Sequence, residues 1–416
     1  MRRVPTRAGA LVAVAALAVA LALAVPQGLH QRIGEDFAVF WQAGKNFASG
    51  APLYHGYLPG ARPLKYPPFA ALAFTPLALF SLPVAATLVS LLNLALWVAA
   101  IRLTRDIIAA TFPDRIPSRV PLALAALLSA QFFLDNFHHV QMNGVTLFLV
   151  LYGVRAYMRG ENLRAAAALV TATALKITPV FFVVWLVLRG RRRAALAVFA
   201  LALACLLVPL VLRGPARGAA ELVEYYHTFL EGHQHGEVGS YGAGQNVAAL
   251  VSRMTRPPED AGRTSFRYLP ASEQTAQLVY RVAWVVVLLA FVARLLSLRI
   301  RGAPVSSLEL AMTFLAALLL SPITFTTHLV PLVFVFATAL SYRPSTLGWP
   351  GYVLAAVLGL GMAASGLSGR DLAGSAAYQA VGGYSVMAWT MLVMFAAAVG
   401  LTGRKPAAGG APAAPG

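Results

Sequence analysis

The chain has 416 residues, of which 59% are hydrophobic and only 12% charged, and its formal net charge is +18. A typical soluble protein carries roughly 25% charged residues, and no soluble fold of this size could bury so much apolar surface. The composition also excludes a disordered chain, a coiled coil and a collagen, and the single cysteine, Cys205, excludes an internal disulfide. We therefore predict an all-α polytopic integral membrane protein.

The basic residues occur as short clusters between apolar runs rather than as one continuous stripe. Clusters of this kind are typical of the cytoplasmic loops of membrane proteins, where lysine and arginine are in excess. A nucleic-acid-binding protein would instead concentrate its positive charge on one surface. The charge distribution therefore favours membrane topology over binding of nucleic acid.

Apolar runs of about 20 residues predict the transmembrane helices, because a helix of that length crosses the hydrocarbon core of a bilayer. The continuous runs lie at residues 8–26, 84–103, 120–134, 142–158, 194–212, 277–296, 306–321, 326–342, 349–366 and 384–402. A further stretch is broken by Lys176 and Pro179, which predicts two short helices, 164–175 and 178–189, joined by the turn LKITP. The sequence thus predicts a bundle of about twelve spans.

Two apolar stretches have more than one interpretation. Residues 67–81 are short and rich in proline, so we interpret them as an interfacial or re-entrant helix on the outer side. The N-terminal run could be a signal peptide, since Ala22-Leu23-Ala24 fits a small-x-small cleavage site. Because the run is longer than the apolar part of an ordinary signal peptide, we favour an uncleaved first helix.

A cytoplasmic N-terminus places most of the 33 lysine and arginine residues in inside segments and most of the 15 acidic residues outside. This distribution follows the positive-inside rule. The topology predicts one transmembrane domain over residues 1–403, with outer loops at about 27–66 and 213–275 and a flexible cytoplasmic tail at 404–416.

Polar residues that are unusual for such a chain collect on the predicted outer side. They come from the loop after the first span, from LDNFHHVQMNG, from LKITP, from the loop with YGAGQN and from SPITFTTH. The candidate site residues are Glu35, Asp36, Lys65, Tyr66, His138, His139, Gln141, Asn143, Lys176, Gln245, Asn246 and His328. We expect them to line one site that opens to the outer face.

Several of these residues also have a purely structural interpretation. Glu35 and Asp36 could favour the N-terminus of an amphipathic helix through its dipole, and His138 and His139 could cap a helix. Lys176 could extend its ammonium to the membrane interface. Two features favour a catalytic role for Asp36: its helix is predicted to lie on the membrane surface, and it directly follows the first span.

A metal site or a cofactor is not expected. His227, His233 and His235 lie in one outer loop, but they have no neighbouring cysteine, so a metal hypothesis is weak. Nucleotide-binding, zinc-protease and serine-hydrolase motifs do not occur in the sequence. Any chemistry must therefore depend on a carboxylate and on cations.

One carboxylate and one cation are sufficient to transfer a sugar from a lipid phosphate. Displacement at the anomeric carbon needs a base that takes the proton of the acceptor hydroxyl, and Asp36 suits that role. It also needs a cation beside the departing phosphate, which Lys176 or a loop arginine could supply. Because phosphate leaves as an anion, a second carboxylic acid is unnecessary, and the transfer would be a single inverting step.

Five segments, in the same order, resemble glycosyltransferase family 87, the polyprenol-phosphate-mannose-dependent mannosyltransferases. They are GEDFAVFWQAGKNFASGAPLY, KYPPFAALAFTPLALF, HVQMNGVTLFLVLYG, ALKITPVFFVVWLVLRGRRR and LLSPITFTTHLVPLVF. The resemblance implies a GT-C fold in the inner membrane and inverting transfer of mannose from a polyprenyl phosphate donor to an extracytoplasmic lipid or glycan acceptor. It also implies that Asp36 is the catalytic base and that His328 is its active-site partner.

Two alternatives stay open. A transporter or flippase of lipid-linked sugars would also have about twelve spans, but secondary transporters bind near the bilayer midplane, whereas these polar groups lie towards the outer side. A GT-C transferase could also use another lipid-linked sugar, such as arabinofuranose or aminoarabinose. The sequence does not separate these sugars, because sugar choice depends on a pocket built from several loops.

Overall fold

The computed structural model describes residues 7–55, 64–111, 119–231, 244–255 and 269–403. In these ranges every regular element is a helix, as the composition predicts. The α-helices are α1 (Arg7–His30), α2 (Asp36–Ser49), α3 (Pro68–Phe74), α4 (Leu82–Thr111), α5 (Arg119–Leu128), α6 (Ala130–His138), α7 (Asn143–Met158), α8 (Asn162–Leu175), α9 (Val180–Arg189), α10 (Arg192–Arg213), α11 (Pro215–Tyr225), α12 (Val247–Thr255), α13 (Glu273–Ile300), α14 (Ser307–Leu320), α15 (Leu332–Ser341), α16 (Trp349–Leu367), α17 (Arg370–Gly383) and α18 (Val386–Leu401). Short 3₁₀ helices lie at Thr75–Leu79, Thr326–Leu329 and Pro344–Leu347, and a π-helical turn at Tyr226–Glu231. The predicted tail at 404–416 lies outside the described residues.

Four of these helices, α4, α10, α13 and α16, are long and apolar enough to cross a membrane. Two further spans arise if bent pairs are counted, α5 with α6 at 45° and α17 with α18 at 55°. The described ranges thus contain four to six candidate spans, as expected of a membrane protein. Helices such as α8, α9 and α15 are too short to cross alone at 1.5 Å per residue. The twelve-span count stays a prediction.

Prolines and one serine set several helix boundaries that the apolar runs do not show. The predicted span at 120–134 bends at Ser129, whose hydroxyl donates to the Ala125 carbonyl at 2.6 Å. The run at 326–342 begins as a 3₁₀ helix, and α15 starts only after Pro331. Pro179 precedes α9, so the predicted pair of short helices around Lys176 is present. In the stretch 67–81, α3 passes into a 3₁₀ helix that contains Pro76.

The centre of the bundle is formed by α14 and α15. Nearly every side chain of α14 is buried, and α15 buries its residues from Leu332 to Thr338. The two helices pack against each other and against α4, α5, α9, α13 and α18. The peripheral α10 instead exposes large apolar side chains, among them Phe199 and Val211. An apolar face of this size requires lipid as its solvent.

A buried ion pair ties α9 to α14 at one end of the bundle. Arg189 Nε lies 2.7 Å from Glu309 Oε1, and the two side chains are 6% and 0% exposed. Trp185 Nε1 donates to the same oxygen at 2.7 Å, and Arg189 also donates to the Ala303 carbonyl. These partners satisfy the buried charges. Arg299, one of the predicted cytoplasmic arginines, donates to the Leu188 carbonyl at the same end.

Helix α7 connects this arginine-rich end to the opposite end of the bundle. Near its C-terminus, the Tyr157 hydroxyl donates to the Arg189 carbonyl at 3.0 Å. Its first residue, Asn143, contacts Lys176 instead. The polar turns that precede α7 and α9 therefore lie together, far from the arginines.

Helix α2, which begins at Asp36, is held at its C-terminus by the last residue of α10. Arg213 donates to the carbonyls of Asn46 and Phe47 at 3.1 and 3.2 Å and to the Ala51 carbonyl at 2.6 Å. The same guanidinium pairs with the buried Glu221. A cation at the C-terminus of a helix also interacts favourably with the helix dipole. The orientation of α2 is thus fixed by a membrane helix.

Gly44 lies where α2 crosses α3. A Cβ at this position would be 2.5 Å from the carbonyl oxygen of Phe74, which is part of the backbone and cannot rotate away. Only glycine permits this approach. On the same face of α2, Phe37 and Phe40 are buried in a small apolar cluster with Phe74.

We expect Gly44→Ala to displace α2 and to lower the free energy of unfolding by about 1–3 kcal/mol, because the added methyl overpacks the contact with α3. Gly359→Ala in α16 is the matched control, since its Cβ would meet nothing within 4 Å. The control should be neutral or slightly stabilising. Thermal unfolding of both variants in detergent measures the difference, and equal unfolding temperatures would contradict the prediction.

Candidate active site

Asp36 is the first residue of α2 and is half-buried. Gln141, in the turn between α6 and α7, donates from Nε2 to Asp36 Oδ2 at 2.7 Å. The carbonyl of Gln141 in turn accepts a hydrogen bond from Asn93 Nδ2 at 2.9 Å, and Asn93 is fully buried in α4. The carboxylate is therefore oriented by a buried amide that is itself attached to a membrane helix.

The turn that carries Gln141 contains an unusual backbone conformation. Val140 has φ +47°, although β-branched residues rarely adopt positive φ, and its side chain is fully buried. The conformation is held by backbone hydrogen bonds from Val140 to Phe137 and from Gln141 to Asn136. Strained backbone of this kind persists only where the surroundings enforce it. Here it reverses the chain between α6 and α7 beside Asp36.

Lys176 lies in the turn between α8 and α9 and is buried. Its Nζ donates to Asn143 Oδ1 at 2.5 Å, and Asn143 Nδ2 donates to the Thr327 carbonyl at 2.8 Å. Burial lowers the pKa of the Lys176 ammonium to about 7, although the Asp36 carboxylate acts in the opposite direction. One amide thus joins Lys176 to the turn that carries His328.

His328 lies in the 3₁₀ helix after α14. Its Nδ1 is held by the backbone, 3.3 Å from the Phe325 nitrogen and 3.2 Å from the Ile323 carbonyl oxygen. Burial and the neighbouring Lys176 lower the pKa of His328 well below its usual range. His328, Lys176 and Asn143 line a small cavity whose other lining residues are mostly apolar, among them Phe182 and Phe314.

Gln245 and Asn246 support the turn of His328 from a separate part of the chain. The backbone N–H of Gln245 donates to the Thr324 carbonyl at 2.6 Å. Asn246 Nδ2 donates to the carbonyls of Ser321 and Pro322, and its Oδ1 accepts from the Ala249 amide in α12. Both residues therefore connect the predicted outer loop to the site through hydrogen bonds within the protein.

The remaining predicted residues lie at different depths. The Tyr66 ring stacks on Phe40 at 5.1 Å, and burial together with Asp36 raises the pKa of its phenol. Glu35, Lys65 and His138 are exposed, and their side chains form no hydrogen bond or ion pair with any residue that the structure describes. The structure therefore brings Asp36, Gln141, Asn143, Lys176 and His328 together and leaves these three at the surface.

Two residues of the site, Asn93 and Asp135, were not selected from the sequence. Asn93 orients Gln141, and it could have been noticed as an amide inside the apolar run of a predicted span. Asp135 lies four residues before His139, the spacing at which helical side chains meet. Its Oδ1 is 3.4 Å from His139 Nδ1, and its Oδ2 accepts a hydrogen bond from the Thr326 hydroxyl. The contact of His139 with Asp135 raises the pKa of the imidazole to about 9.

The described residues of the site do not form a metal centre. No three His, Cys, Asp or Glu side chains in the described ranges are grouped so that they could hold a metal ion. His227 pairs with Glu231, and His233 and His235 lie outside the described residues. The expectation that no cofactor is needed stays a prediction.

Comparison with known proteins identifies related sequences. The profile described as Glycosyltransferase family 87 matches residues 64–322, more than half of the chain. Two curated relatives are both described as polyprenol-phosphate-mannose-dependent alpha-(1-2)-phosphatidylinositol mannoside mannosyltransferase. The protein from Mycobacterium tuberculosis is 28% identical over 228 residues, which cover 52% of this chain and 51% of that protein.

The second relative, from Mycolicibacterium smegmatis, is 30% identical over 235 residues, which cover 53% of this chain and 52% of that protein. The chain therefore spans about half the length of the curated relatives it matches.

We expect His139→Gln to change how stability depends on pH. The contact with Asp135 raises the folded-state pKa of His139 to about 9, above about 6.5 in an unfolded chain. Its stabilising contribution is therefore complete below pH 6.5 and is lost as the pH rises through 9. The wild-type protein should lose stability relative to the variant across that window. Thermal unfolding of both proteins at several pH values tests this, and parallel curves would contradict it.

Proposed function

The chain belongs to glycosyltransferase family 87, and on that premise we propose that it transfers mannose from a polyprenyl-phosphate donor to an extracytoplasmic lipid or glycan acceptor. The names of both relatives support the donor, since each is described as polyprenol-phosphate-mannose-dependent. The observation that carries the proposal is the hydrogen-bonded series in which Gln141 holds Asp36 and Asn143 holds Lys176. A carboxylate and a cation are thereby held at one end of a membrane bundle.

Asp36 is proposed as the general base. Its carboxylate takes the proton of an acceptor hydroxyl, and the resulting oxygen nucleophile attacks the anomeric carbon of the donor from the face opposite the phosphate. The bond between the anomeric carbon and the phosphate oxygen breaks, the electron pair leaves with polyprenyl phosphate, and the configuration inverts. Gln141 contributes by fixing the carboxylate, because a misplaced base loses much of its effect.

Lys176 and His328 are proposed to hold the donor phosphate. A phosphate beside Lys176 would favour the charged ammonium, which burial alone disfavours. The imidazole of His328 can add a hydrogen bond as negative charge develops on the leaving group. Most of the other residues that line this cavity are apolar, which suits an anion attached to a hydrocarbon chain.

Orientation and sugar choice are parts of the same proposal. The site lies at the end of the bundle opposite Arg189 and Arg299, and the positive-inside rule assigns such arginines to the cytoplasm. We therefore propose that the site faces the extracytoplasmic side of the inner membrane. Family membership favours a transferase over a flippase, and the names of the relatives favour mannose over arabinofuranose or aminoarabinose.

We expect Asp36→Asn to reduce turnover by at least about 10²-fold, because general base catalysis is lost. Glu35→Gln is the matched control, since this neighbouring carboxylate is exposed and should be dispensable. The assay incubates purified protein in detergent with radiolabelled polyprenyl-phosphate mannose and a mannoside acceptor. Transfer in the absence of vesicles would exclude a flippase. Near-normal turnover by Asp36→Asn would remove Asp36 as the base.

We expect Lys176→Met to raise the KM for the lipid donor by about 10- to 100-fold, the effect of losing a charged hydrogen-bond donor. The KM for the acceptor should change little. Lys65→Met serves as control, because Lys65 is an exposed lysine without a described partner. An unchanged KM for the donor in Lys176→Met would show that the ammonium has only a structural role.

A further inference from the structure

A second cavity lies at the arginine-rich end of the bundle. It is lined by residues of α14, α15, α16 and α18 and of the 3₁₀ helix Pro344–Leu347. One of them, Leu308, directly precedes Glu309, which forms the ion pair with Arg189. None of these residues also lines the cavity of the candidate active site. This second cavity, which we call the α16 groove, is therefore separate from the proposed chemistry.

The α16 groove has the shape and polarity of a site for a hydrocarbon chain. Its walls on α14, α16 and α18 come from residues within 308–315, 351–358 and 394–401. Each of these stretches is about 10 Å long in an α-helix, so the groove runs along the helices. Its volume of about 70 Å³ is several times the roughly 10–15 Å³ that one water-sized group requires. Several methylene groups in a row therefore fit, and nearly all of the lining residues are apolar.

The α16 groove is partly open and lies at the lipid-facing surface of the bundle. Helix α16 is a candidate membrane span, and Val353 and Val357 on its outer side are exposed. Trp349 and Tyr352 at its start are exposed as well, and such side chains are typical of the level of the lipid headgroups. Because the groove begins at Gly351, its mouth lies at that level, and it extends from there into the hydrocarbon layer.

The charges around the mouth favour an anion. Arg343 is exposed between the lining residues Tyr342 and Pro344, and its side chain forms no hydrogen bond or ion pair with any residue that the structure describes. The four helices of the groove contain a single acidic residue, Glu309, and this carboxylate is already paired with Arg189. A negative headgroup at the mouth would therefore meet a cation that has no other partner in the described ranges. Basic positions between membrane helices bind the headgroups of anionic lipids in this way.

One buried hydroxyl in the groove also indicates a ligand. Thr338 lines the groove and is 1% exposed, and its Oγ1 has no hydrogen-bond partner in the part of the chain that the structure describes. An unpaired hydroxyl in apolar surroundings is costly. Thr338 precedes Tyr342 at the mouth by about 6 Å along α15. The ester carbonyls of a phospholipid lie just below its phosphate, so one of them can accept this hydrogen bond.

We propose that the α16 groove binds one acyl chain of an anionic phospholipid, whose phosphate contacts the Arg343 guanidinium. The lipid is not a substrate of the transfer reaction. It fills the space between α16 and the central helices α14 and α15, and it thereby holds a peripheral span against the core of the bundle.

The experiment measures the binding of two lipids with identical acyl chains to the purified full-length protein in detergent, by native mass spectrometry. Phosphatidylglycerol is anionic, whereas phosphatidylcholine carries no net charge. The wild-type protein should bind phosphatidylglycerol about tenfold more tightly, the effect of one charged hydrogen bond. Arg343→Gln should remove this preference. Arg301→Gln, at another exposed arginine of the same end, should keep it.

A second pair of variants tests the groove itself. Ala355 lines the groove, so Ala355→Phe should fill it and weaken the binding of both lipids at least about tenfold, because the acyl chain loses its buried contacts. The adjacent Ala356 is exposed and does not line the groove, so Ala356→Phe is the matched control. Thermal unfolding shows whether each variant is folded. Phosphatidylglycerol should raise the unfolding temperature of the wild-type protein and not that of Ala355→Phe.

Several results would overturn the inference. They are equal affinity of the wild-type protein for the two lipids, unchanged binding by Ala355→Phe, and loss of the preference in Arg301→Gln as well as in Arg343→Gln. If polyprenyl phosphate bound more tightly than phosphatidylglycerol, and Ala355→Phe abolished that binding, the groove would belong to the sugar donor instead. Because no transfer is measured, the result is independent of the proposed function.

Discussion

The side-chain amide of Asn143 is the interaction on which the site depends. It accepts a hydrogen bond from the buried ammonium of Lys176 and donates to the Thr327 carbonyl. In a bundle solvated by lipid, a charged group away from water is tolerated only when it has such partners. The amide therefore makes burial of Lys176 possible and, at the same time, brings the turn before α9 to the turn of His328.

Charged residues lie at both ends of the bundle, and they serve different purposes at each end. At one end, Arg189 and the buried Glu309 form an ion pair that holds α9 against α14. At the other end Gln141 holds the Asp36 carboxylate, and Asn143 holds the buried Lys176.

Much of this arrangement was predictable from local sequence, and the rest depends on packing. The break at Pro179 and the polar turn around Gln141 are local features, so the sequence predicts both. The partners of those residues come from distant positions. Asn93 meets Gln141 only because α4 packs against α7, and no periodicity in an apolar run specifies that register. Likewise, the bend at Ser129 divides a run whose hydropathy is continuous.

The contact between Arg213 and α2 has a mechanical consequence. Most of α10 faces lipid, and its last residue holds the carbonyls at the end of the helix that begins at Asp36. A transmembrane helix changes its tilt when the hydrocarbon layer becomes thicker or thinner. Because Arg213 couples the two helices, a change in the tilt of α10 would be transmitted to α2 and to the carboxylate at its first residue.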